Sequence, residues 1–72
     1  MNENELEFSV FCVENVAEKL DISGEEVYRL LTQKTNLLDD YIIPNYEILH
    51  TQSKEYIVND IIECLKECEI LK

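Results

Sequence analysis

An all-α domain is the fold class this sequence predicts, and three observations carry the prediction. Hydrophobic residues make up 46% of the 72 positions, enough to fold despite the charge. There is only one Gly and one Pro, too little turn chemistry for a many-stranded β fold. Apolar residues then recur at helical spacing over most of the chain. The expected architecture is a compact bundle of four helices, at about 4–20, 24–34, 38–49 and 53–71, in a single domain over residues 1–72. A chain of this length hides only about 60% of the surface it exposes when unfolded, so its core is small.

Helix 1 places Leu6, Val10, Val13, Ala17 and Leu20 on one face, read as core. At about 100° per residue, Phe8 and Phe11 fall on the opposite side, beside Asn15 and Lys19. Helix 1 is thus apolar on two sides. Either it is the central helix, covered from both directions, or Phe8 and Phe11 face a partner chain.

Asp21-Ile22-Ser23-Gly24 interrupts the pattern, and Ser23 with Glu26 three residues on reads as a capping box opening helix 2. Val27, Leu30 and Leu31 are its expected inner face, with Tyr28 at the edge and Glu25, Arg29 and Gln33 outward. In the third segment Asp39 reads as an N-cap. Pro44 removes a donor and disfavours helical geometry at Ile43, so a kink or a two-part helix is expected there, the second part beginning near Ile43 and Leu38 to Ile43 left as a short turn or helical piece. Tyr41, Ile42, Tyr46 and Leu49 are its inward or half-buried side chains. Helix 4 lines up Ile57, Ile61, Cys64, Leu65, Cys68 and Leu71, with Val58 and Ile62 on the shoulder and Lys66 and Lys72 toward its C-terminal end.

The formal charge of −10, from 16 acidic and 6 basic residues, repels a phosphate backbone and an anionic lipid surface alike. It favours solubility or a basic partner. No apolar run is long enough to span a bilayer and the N-terminus is acidic where a signal peptide is basic, so a cytoplasmic location is expected. Three cysteines, Cys12, Cys64 and Cys68, fit that compartment. Their spacing does not suit a zinc knuckle, and buried structural thiols account for them better than metal ligands. No metal or cofactor site is expected.

Val16 to Leu31 resembles a helix-turn-helix, with Ala17 where the helices cross and Val27 anchoring the second one. A reading helix offers basic or amide side chains to DNA, whereas this one opens Gly24-Glu25-Glu26, leaving Arg29, Gln33 and Lys34. A packing corner is the expectation, and nucleic-acid binding is not. Between Ile48 and Tyr56, cap-type residues separate two apolar segments around the only histidine. His50, Thr51, Gln52, Ser53 and Asp60 form a candidate polar junction. His50 or Tyr46 is the expected donor to Asp60. No nucleophile or phosphate loop accompanies them, so no enzymatic activity is expected.

Phe11-Cys12-Val13-Glu14, Ile22 to Val27, Asp40 to Ile43, Tyr46 to Gln52 and Glu55 to Ile61 carry a family resemblance. Its specific part is Leu49-His50-Thr51-Gln52 followed by Glu55-Tyr56-Ile57-Val58. In these stretches the chain resembles the short bacterial proteins grouped as domain of unknown function 3791, departing from them at Pro44, where a helix former is expected. The resemblance implies a bacterial cytoplasmic protein and an antitoxin-like partner for a neighbouring gene product similar to ADP-ribosyltransferase toxins. It implies no activity of its own. The expected function is a non-enzymatic protein-protein interaction module, with a helix-turn-helix-derived regulator as the alternative. Phe8 and Phe11, rimmed by Glu7, Glu14 and Glu18, are the candidate partner surface, toward a protein with a basic or apolar face. Homodimerisation is also reasonable for so small a core.

Overall fold

Residues 2–70 are described by a computed structural model, and no strand occurs among them. Helix α1 (Glu3–Leu20) is followed by α2 (Gly24–Arg29), which runs directly into a π-helical segment (Leu30–Lys34). A second π-helical segment (Leu38–Ile42), a short α3 (Tyr46–Leu49) and α4 (Lys54–Glu67) complete the order. The all-α bundle is as expected. The last helix stops at Glu67 rather than 71, and Leu71 and Lys72 lie outside the described residues.

Local chemistry explains where each helix starts and stops. Asn2 and Glu5 form a reciprocal capping box on α1, Glu5 N donating to Asn2 Oδ1 at 2.7 Å and Asn2 N to Glu5 Oε1 at 3.1 Å. The box expected at Ser23 is only half made. Glu26 N donates to Ser23 Oγ at 3.1 Å, but the Glu26 carboxylate turns to Arg29 Nη1 at 2.9 Å instead of reaching back. Thr35 ends the first π-helical segment: its backbone N and its Oγ1 both donate to Leu30 O, at 3.1 and 2.8 Å.

Asp39 is not the expected N-cap, since it lies inside the second π-helical segment. Ile43 keeps helical angles (φ −68°, ψ −46°) although Pro44 follows, because its N–H is taken by Leu38 O at 3.0 Å. The break spans residues 43–45, around the proline. Asn45 donates to Tyr41 O from both its backbone N (3.2 Å) and its Nδ2 (2.7 Å), and α3 begins at Tyr46.

Two helices end on the same device with an acidic residue in it. Asp21 (φ 57°) and Glu69 (φ 61°) take left-handed angles. Beside them Ile22 N donates to Ala17 O at 3.1 Å and Ile70 N to Leu65 O at 3.0 Å, the long bond of a Schellman motif. Glycine is the residue that adopts this geometry without a Cβ clash, and an acid at a helix C-terminus opposes the dipole. Asp21→Gly and Glu69→Gly are each expected to stabilise the fold by about 1 kcal/mol. Thermal melts of the two single variants and the double check this; a fall in midpoint in both singles would contradict it.

One apolar cluster joins all the elements. It contains Phe8, Cys12, Val16 and Ala17 of α1, Val27, Leu30 and Leu31, Leu38 and Ile42, Leu49, and Ile57, Val58, Ile61, Ile62 and Leu65 of α4. The inner residues expected for the second, third and fourth segments are largely these. Helix α1 is the exception. It packs against both α2 and α4, as a central helix should, but the first part of the stripe expected inside lies outside: Leu6 is 54% and Val10 48% exposed, whereas Val13 and Leu20 pack half-buried against the core, Ala17 is buried, and Phe8 on the other side is 9% exposed. The reason lies in α3. Its Tyr46 ring meets the Phe8 ring edge-on at 5.4 Å, and Phe11 stacks on Phe8 at 6.2 Å, so the aromatic side of α1 is the covered one.

Candidate functional site

The polar residues around the α3–α4 turn are occupied with ending one helix and starting the next. His50 Nδ1 lies 2.7 Å from Tyr46 O, and its ring stacks on the Tyr46 ring at 4.5 Å. A carbonyl only accepts, so Nδ1 is the donor in this bond. Thr51 Oγ1 donates to Ile48 O at 2.7 Å, Gln52 N donates to Leu49 O at 3.0 Å, and Ser53 Oγ accepts from Tyr56 N at 3.1 Å as N-cap of α4.

Asp60 does not belong to this group. Its donor is neither His50 nor Tyr46 but Tyr41, whose hydroxyl lies 2.5 Å from Asp60 Oδ2 and ties the second π-helical segment to α4. That hydrogen bond to a carboxylate, and then burial, hold the Tyr41 hydroxyl above its ordinary range. The expected junction therefore splits into two helix caps and a separate Tyr41–Asp60 tie. His50 and Asp60 form no acid-base pair.

The cysteines also separate. Cys12 is fully buried, and burial pushes its thiol up to about 12. Cys64 is half-buried, its thiol raised by burial and then by Asp60 one turn earlier, and Cys68 is exposed rather than part of the core stripe. Helix α4 ends its α-helical turn at Glu67, which leaves Cys68 at the cap where no neighbouring element covers it. Among the described residues no group of three or more His, Cys, Asp or Glu side chains is placed to hold a metal ion.

An apolar groove lies where α1 crosses α2. Its volume is about 330 Å³, and it is lined by Leu6, Ser9, Val10, Val13 and Glu14 from α1, Gly24 and Tyr28 from α2, and Leu38. Small residues form the floor. Ser9 Oγ folds back to donate to Glu5 O at 2.8 Å, so it leaves no unsatisfied group there. Gly24 sits against Val13, where an added Cβ would lie an ordinary 3.6 Å from Val13 Cγ1. Leu6, Val10 and Tyr28, the last 53% exposed, form the walls.

Of the candidate partner surface, Phe8 is buried and Phe11 half-buried, so that surface loses its hydrophobic centre. Glu7, Glu14 and Glu18 remain exposed, and Glu14 borders the groove. Glu18 instead lines a polar cleft of about 480 Å³ between α1 and α4, with Asn15, Lys19, Lys54, Glu55, Val58 and Asn59. The i, i+4, i+7 spacing of Leu6, Val10 and Val13 marked this apolar stripe in the sequence, but as core.

At the helix-turn-helix-like corner, Arg29 is held by Glu25 at 3.4 Å and Glu26 at 2.9 Å. Such exposed pairs contribute little stability, roughly 0–1 kcal/mol, but they occupy the one guanidinium the second helix could offer. No helix among the described residues is long and apolar enough to cross a membrane.

Fold and surface together define a small helical domain with an open apolar groove. The chain belongs to the family described as "Protein of unknown function (DUF3791)", whose model matches residues 7–68. That span runs from the first half of α1 to the cap of α4, and the family is the one the sequence resembles. No curated protein and no solved structure matches the chain.

Proposed function

We propose that this protein is a non-enzymatic interaction module that binds another protein through the α1–α2 groove. The observation that carries the reading is the contiguous exposure of Leu6, Val10 and Tyr28 around a floor of small residues. Leaving such side chains wet forgoes roughly 25 cal/mol per Å² of burial, which a partner recovers. An antitoxin-like role toward a neighbouring gene's product is one form of this function. A DNA-reading role has less support, since Arg29 is already paired with Glu25 and Glu26 and the net charge of −10 opposes a phosphate backbone.

The test is a pull-down from the native host, with wild type and Val10→Gln as baits and the neighbouring gene's product as first suspect. A discrete protein retained by wild type and lost with Val10→Gln is expected. Identical captures by both baits, or a gel shift with DNA at low salt, would contradict the proposal.

A further inference from the structure

Resting on that reading, we infer that the groove takes an amphipathic helix from a different chain, with aliphatic anchors on one face and Lys or Arg along its flanks, and not a second copy of this chain. The shape argues for a helix. The groove lies where two helices cross, a surface whose ridges and hollows accept side chains at i, i+3 or i+4 and i+7, and among the described residues there is no sheet edge for an extended peptide to join.

The distribution of charge argues for basic flanks. Among the described residues no lysine or arginine lines the groove. Glu3, Glu7 and Glu14 follow one another at helical spacing beside Leu6 and Val10, all exposed, and Asp39 and Asp40 follow Leu38 at the groove's end, also exposed. The cations among the described residues stand elsewhere. Lys19 and Lys54 line the α1–α4 cleft, Lys66 is in the last turn of α4, Lys34 ends the first π-helical segment, and Arg29 is bound by its own acids. A two-fold contact would set the same patch against itself, bringing acidic rims together with no described cation between them. A basic-flanked helix meets the rim with opposite charge, which adds steering and excludes a second copy.

The test uses fluorescence anisotropy with three labelled peptides of about 18 residues, long enough for helix to form on the surface. The first has leucines on one helical face and lysines elsewhere, the second replaces lysine by glutamate, and the third scrambles the first so that its leucines share no face. The proteins are wild type, Val10→Gln, and Glu7→Lys combined with Glu14→Lys. Val10 is half-exposed and the substitution neutral, so neither fold nor charge changes.

The lysine peptide is expected to bind wild type, more weakly as salt rises, and to lose about tenfold or more in affinity on Val10→Gln or on scrambling. The glutamate peptide is expected to bind only the doubly lysine-substituted protein. Equal binding of the scrambled peptide would reduce the contact to charge alone and overturn the inference. Equal binding of the glutamate peptide to wild type, lost with Val10→Gln, would overturn the basic flank while leaving the interaction module standing. Sedimentation as a dimer that Val10→Gln dissociates would make the occupant a second copy. If no peptide binds, the inference fails, and the Val10-dependent pull-down separately decides the fate of the module.

Discussion

Replacing Phe8 with alanine is expected to destabilise the fold by about 3 kcal/mol, at the lower end of the range for truncating a buried aromatic. Leu6→Ala, on the exposed side of the same helix, is expected to stay within about 0.5 kcal/mol of wild type. The difference follows from environment. Phe8 is 9% exposed and touches the Tyr46 and Phe11 rings, whereas Leu6 is 54% exposed on the groove wall. A domain of this size has a total stability of roughly 4–11 kcal/mol, so Phe8→Ala removes a large part of it. Urea unfolding reads both effects as shifts of midpoint at constant slope. Equal costs at the two positions would mean that α1 is turned the other way.

Alkaline pH is expected to unfold the protein well before the peptide backbone is at risk, chiefly through Cys12. Its thiol is raised from an ordinary 9.0 to about 12 by burial, so the native state holds this proton more tightly than the unfolded chain does. Stability is then fully present below about pH 9 and falls as pH rises toward about 12. The loss is on the order of 4 kcal/mol once both states are ionised. Tyr41 acts in the same direction. Its raised hydroxyl, held first by the bond to Asp60, contributes below the unfolded value of about 10 and weakens above it. Cys12→Ala should therefore unfold at higher pH than wild type even though it is somewhat less stable at neutrality. Tyr41→Phe should lose about 1.5 kcal/mol at pH 7 with the bond to a charged acceptor, and flatten the upper part of the curve. Circular dichroism from pH 7 to 12 checks both. An unchanged alkaline midpoint in Cys12→Ala would show that another group sets it.

The groove adds a separate constraint on these experiments. Leu6, Val10 and Tyr28 can be changed without touching the core cluster, so loss of binding at those positions reports on recognition and not on folding. Phe8 and Phe11 offer no such separation. A partner lost on Phe8→Ala would say nothing about where it docks.

Helical spacing, cap residues and the scarcity of glycine and proline by themselves determined the helical class and the helix starts near Glu3, Gly24 and Lys54. They also determined the inward positions of α2 and, apart from Cys68 and the undescribed Leu71, those of α4, because each of these is a property of a few consecutive residues. Only the tertiary structure decided which apolar face of α1 is inside. Leu6-Val10-Val13 and Phe8-Cys12-Val16 are both regular stripes, and the choice rests on Tyr46, brought over Phe8 by the four-residue helix that follows the break at Pro44. The donor to Asp60 is of the same kind: Tyr41 stands 19 residues away, nearer choices were open along the chain, and packing of the second π-helical segment on α4 selected it. Periodicity specifies faces, but a face becomes core or binding surface only when another element does or does not cover it, and in α1 that distinction moved the candidate site from the phenylalanines to the groove.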